Sequence, residues 1–185
     1  MKYKNLVYIS AIVISTLLMF SVGKATAQTT ANGPYYAWPS WDQTLPSSTR
    51  FIVLSNFNSQ AVLDRETGLV WERSPSTTAV PGFTSLDCTN KTVGNRRGWR
   101  LPTIHELTSL IDPTQSGPAL PSGNPFQIQN VSGAYWSATI VDEVDGTSPR
   151  AWTMSLHNGF AIFALKSTNG LFNWCVRGGQ GVDRQ

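Results

Sequence analysis

The chain contains two cysteines, Cys88 and Cys175, and whether they are joined constrains the fold more than any other pair of residues. A bridge would close a loop of 87 residues and fix two points far apart in sequence. Disulfides persist in oxidising compartments, so the question turns on export. The N-terminal segment bears on it directly. Lys2 and Lys4 precede an apolar run, residues 6–22, and Ala25-Thr26-Ala27 supplies a small-x-small cleavage pattern, so residues 1–27 read as a signal peptide cut before Gln28. An uncleaved membrane anchor is the alternative, since about twenty apolar residues span a bilayer. No cysteine follows the run to carry a lipid. Export makes one disulfide the expectation, stabilising by about 4–5 kcal/mol in the chain-entropy model. Two free buried thiols are the other reading, and two cysteines without suitably spaced histidines make a poor zinc site.

Removing the leader also changes the charge. The whole chain has 14 Lys and Arg against 11 Asp and Glu. Lys2, Lys4 and Lys24 leave with the leader, so the mature chain has eleven of each and a formal charge of zero. Overall basicity therefore gives no support for a nucleic-acid partner, and with the leader cut nothing further calls for a membrane. About 158 residues remain, enough for one domain with its own core, rich in Gly and Pro and carrying seven tryptophans.

Residues 28–49 ("PYYAWPSW" within them) have no period and read as a linker or strap. Residues 50–58 read as a first strand, and "AVLDRETGLVWERS" as a hairpin turning at Gly68. A short helix is expected within residues 82–93, carrying Cys88. A second helix follows Pro102: Thr103 can cap it, Glu106 completes a capping box, and Ile104, Leu107, Leu110 and Ile111 share one face. Residues 113–133 form a long Pro- and Gly-punctuated loop, a length more usual in functional or mobile segments. Four short strands complete the domain, "AYWSAT", "AWTMSL", "GFAIFAL" and "NWCVR", the middle two turning at His157-Asn158-Gly159. In "AWTMSL", Trp152, Met154 and Leu156 share one face. The order implies an α+β domain over residues 50–180, followed by a tail at 181–185.

Catalytic and metal chemistry find little support. His105-Glu106 would begin a zinc H-E-x-x-H helix, but position 109 is Ser, leaving both residues in a solvent-facing structural role. His157 lies in a turn with no obvious nucleophile beside it. Asp142, Glu143 and Asp145 form an acidic loop without EF-hand alternation. No catalytic residue, metal ligand or cofactor is assigned. Arg96, Arg97 and Arg100, with Lys91 nearby, make one local basic cluster suited to sulfate, phosphate or carboxylate groups. Most tryptophans are expected in the core, with one or two left at a surface to stack on sugar.

"VLDRETGLVWER", "GWRLPTIHELTSLID", "YWSAT", "AW", the "NG" turn and "CVRGG", in that order, resemble the bacterial family named for the C-terminal part of the Legionella collagen-like adhesin, the Lcl C-terminal domain. The resemblance runs from about Val62 to Gly179. It implies a C-type-lectin-like fold, two helices on short antiparallel sheets, in which Cys88 of the first helix pairs with Cys175 of the last strand. It also implies an adhesin-like, secreted or periplasmic binding domain, since the collagen-like adhesin binds sulfated polysaccharide through a basic surface. This chain differs from that adhesin in lacking a collagen repeat, and it lacks the Glu-Pro-Asn, Gln-Pro-Asp and Trp-Asn-Asp motifs of calcium-dependent lectins. "WRLPT" and "RGG" are also similar to formylglycine-generating oxidases, which need two redox cysteines together near the C-terminus, where this chain has Cys175 alone. The expectation is a non-enzymatic module for a glycan or anionic polysaccharide, with Arg96, Arg97, Trp136 and Lys166 as the ligand-binding residues. An oxidase of that type and a structural or protein-interaction module of the envelope are the alternatives.

Overall fold

The computed structural model describes residues 45–141 and 149–178. The expected signal peptide, most of the strap, the acidic loop at Asp142, Glu143 and Asp145, and the tail lie outside the described residues.

In chain order the elements are a one-turn helix α1 (Ser47–Arg50), β1 (Phe51–Val53), a 3-10 turn at Ser55–Phe57, β2 (Ala61–Asp64), β3 (Val70–Glu72), β4 (Val80–Pro81), α2 (Leu86–Asn90), α3 (Ile104–Thr108), β5 (Ala134–Val141), β6 (Arg150–Ser155), β7 (Ala161–Leu165), β8 (Asn169–Leu171) and β9 (Val176–Arg177). They make three small antiparallel sheets, ordered β1-β2-β3-β9, β4-β8 and β5-β6-β7. The first hairpin forms as its sequence implies, with Gly68 at φ +70°. The expected strand over residues 50–58 is shorter, because the chain leaves β1 for the 3-10 turn and Asn58 and Ser59 take positive φ.

Cys88 on α2 is bonded to Cys175, which immediately precedes β9, with Cα atoms 5.5 Å apart. The bridge lies beside the pairing of β9 with β3, so it ties the second helix to the sheet that the first hairpin began.

The capping box on α3 is complete: the Glu106 N–H donates to Thr103 Oγ1, and the Thr103 N–H donates to Glu106 Oε2. The helix ends at Thr108, one turn earlier than its apolar stripe extends, yet Leu110 and Ile111 still reach the core. The long loop after it is not loose. Ala119 and Leu120 are buried, the Ala119 N–H donates to Leu156 O, and the Gln127 N–H donates to Arg73 O. Its bonded middle is therefore scaffold.

Two apolar clusters form the core. One gathers Trp71, Leu107, Leu110, Tyr135, Met154 and Trp174; the other holds Phe57, Trp99, Leu101, Trp136, Ala151 and the disulfide. β6 runs between them, Met154 contributing to the first and Ala151 to the second. Its two faces, distinct in the sequence pattern, are thus both covered, and Thr153 is fully buried as well. At the first cluster Arg50 is buried with Asp64, which accepts from Nε at 2.9 Å and Nη2 at 2.8 Å, while Nη2 also reaches Ser109 O. Glu66 lies 3.3 Å from Arg50 Nη1 and accepts the Leu45 N–H, which fixes the end of the strap to the domain.

Candidate functional site

Arg96 is placed by a tight turn. Gly94 and Asn95 both have positive φ, +57° and +59°, the combination of a type I′ turn, and Val93 and Arg96 exchange backbone hydrogen bonds across it. Gly94 is required here twice over, since a Cβ at this position would run into the backbone of Phe57. The Gly94 N–H donates to Gln60 Oε1 at 2.7 Å, and the Trp99 indole donates to Arg96 O at 2.8 Å. The turn is therefore pinned on both sides against the 3-10 turn that carries Phe57.

The result is a cation–aromatic cluster. The Arg96 guanidinium lies over the Phe57 ring at 5.6 Å, and that of Arg177, from β9, lies over the same ring at 5.8 Å. Trp99 packs edge-on against Phe57 at 6.4 Å. Phe57 is only 7% exposed, and two cations lie against its ring. Arg97, next in the chain, is exposed. Among the described residues no carboxylate is within ion-pair distance of Arg96, Arg97 or Arg177. Two cations on a fixed aromatic base, with a third exposed beside them, can meet sulfate or carboxylate groups through paired N–H donors. Arg177 was not among the sequence candidates: it arrives through the β3–β9 ladder, which no local spacing announces.

The other basic residues of the expected cluster are engaged internally. Lys91 Nζ is 2.6 Å from Glu72 Oε1, a carboxylate that also accepts the Cys175 N–H. Burial pushes the Glu72 carboxyl above its ordinary value, opposed by the Lys91 charge and these hydrogen bonds. Arg100 makes a two-pronged contact with Glu106, at 2.7 and 2.8 Å, and also donates to Gly178 O. Glu106 is thus fully buried, not solvent-facing, because its second task is to hold Arg100. His105 on the same helix is exposed, as its helical position implies.

Trp136 must be withdrawn as a surface residue. It is 0% exposed and packs edge-on against Phe83 inside the second cluster, so it cannot stack on an external ligand. The half-buried tryptophan of the described strands is Trp152 instead. It lines a shallow, largely apolar depression of about 310 Å³ with Ile104, His105, Thr108, Thr139 and Ala161. Lys166 lies over a different ring from the arginines, its Nζ 5.3 Å from the Phe83 ring centre. A second depression, about 320 Å³, is lined by Ser76, Asp87, Asn90, Lys91 and Asn173. Among the described residues no group of three or more His, Cys, Asp or Glu could hold a metal ion, and no helix is long and apolar enough to cross a membrane.

The Lcl C-terminal domain family matches the chain over residues 60–177. The chain belongs to that family. The matched span takes in the first hairpin, the arginine turn, α3, the first sheet without β1, the other two sheets whole, and both cysteines. No curated protein and no solved structure matches the chain. Membership suggests an adhesin-like extracellular domain, and the closed disulfide fits an extracellular or periplasmic setting.

Proposed function

We propose that this Lcl C-terminal domain is an exported, non-enzymatic binding module of C-type-lectin-like fold that recognises an anionic polysaccharide through Arg96, Arg97 and Arg177. The observation that carries the reading is the pair of guanidiniums held over one phenyl ring, with no carboxylate within ion-pair distance among the described residues. Cations that are rigidly placed lose less freedom on binding than solvated ones, and a repeating polymer presents matching charges at regular intervals. The oxidase reading needs two late, reactive cysteines; here both sulfurs are committed to one bridge that starts on α2.

Retention on immobilised heparin, a sulfated polysaccharide, tests the proposal. The wild type elutes above low salt, whereas an Arg96→Ala/Arg97→Ala pair loses about ten- to a hundredfold in affinity, and Arg177→Ala about tenfold. Lys166→Ala, which removes an ammonium lying over Phe83 rather than Phe57, changes little. Wild-type protein that flows through at low salt, or arginine variants that elute with it, would overturn the proposal.

A further inference from the structure

β7 is the outer strand of its sheet, and among the described residues no strand pairs with its outward edge. The register β6 to β7 pairs Met154 with Ala161 and Arg150 with Leu165. Beyond the strand's ends, the Ser155 N–H donates to Phe160 O and the Lys166 N–H to Pro149 O. Hydrogen-bonded pairs alternate in an antiparallel ladder, so Ile162 and Ala164 turn their amides toward β6. Ala161 and Phe163 turn theirs outward, and among the described residues neither has a backbone partner on that side. Edge strands are ordinarily blunted by charge, proline or a covering element. None of these residues is charged or a proline, and the side chains are apolar and exposed: Phe160 65%, Ile162 53%, Phe163 50%.

The sequence of this edge fits itself. Run antiparallel against a copy, with Ile162 opposite Ile162, the stretch Phe160-Ala161-Ile162-Phe163-Ala164 sets Phe160 against Ala164 and Ala161 against Phe163. Every large ring then meets a methyl group on the same face of the sheet. The outward N–H and C=O groups of Ala161 and Phe163 supply four hydrogen bonds, two from each copy. Lys166 falls opposite Asn158, so no like charges meet. We infer that β7 is a self-association edge, pairing two copies of the chain about Ile162 into one continuous six-stranded sheet. The inference is independent of the arginine cluster, which lies on other elements.

Sedimentation and register-specific cross-linking of the full chain test it. The wild type doubles in mass at about 0.1–1 mM, as suits a small interface, and Ile162→Lys stays monomeric with an unchanged thermal midpoint. In the inferred register the two Ile162 positions form a non-hydrogen-bonded pair, with Cα atoms about 4.5 Å apart. An Ile162→Cys variant therefore oxidises to a covalent dimer. Phe160→Cys, offset by four residues and so about 13 Å from its copy, does not. A wild type that remains monomeric, a dimer that Ile162→Cys fails to lock, or equal bridging by Phe160→Cys would each overturn the inference.

Discussion

Glu72 shows how much one side chain can carry in so small a domain. Its carboxylate is buried between Lys91 and the Cys175 N–H, and burial holds its pKa above the ordinary 4.5. A folded-state value above the unfolded one means that the native protein binds more protons in the window above pH 4.5. The contribution of this group to stability is therefore complete below the unfolded value and is lost as pH rises through the folded one. Urea unfolding at a series of pH values checks it: stability falls from about pH 4.5 toward neutrality, and Glu72→Gln flattens that slope. A slope unchanged by the substitution would contradict the assignment. Glu106 belongs beside it. Its spacing from Thr103 announced the capping box, but the Arg100 contact that buries it is a matter of tertiary position.

Among the elements, the turn at residues 93–96 does most to build the candidate site. Gly94→Ala places a methyl against the Phe57 backbone and forces an L side chain to φ +57°. The expected cost is about 1–3 kcal/mol, read as a lower thermal midpoint, together with weakened heparin retention even though every arginine remains. The ingredients of this turn, a Gly followed by Asn, stand in the sequence, but no alternating strands flank them to mark a hairpin. α1, β4 and β8 escaped notice for a related reason: elements of two to four residues are too short to show a period. α3, by contrast, was legible from its cap and stripe, and the first hairpin from Gly68. Trp136 was misassigned because alternation tells the two faces of a strand apart only where one faces water. Here Tyr135 and Trp136 on neighbouring positions of β5, and Ala151 and Met154 on opposite faces of β6, are all buried.

Across the whole molecule, the Cys88–Cys175 bridge spans 87 residues and joins the halves of the fold. Cys88→Ser/Cys175→Ser is expected to lower unfolding free energy by about 2–5 kcal/mol, measured in denaturant against the oxidised wild type. The α+β order and this pairing were readable in advance; the position of Arg177 was not, since it depends on how β9 closes the first sheet. That closure has a temporal side. Residues 174–177 supply the Trp174 indole bond to Glu72 O, the bridging sulfur, the Val176 exchange with Arg100, and the strand that completes β3. A polypeptide is made from its N-terminus, so β3 waits with an open edge through more than a hundred residues of synthesis. An early strand of this domain is finished by some of its latest residues, so the first sheet cannot close until residues 174–177 have been made.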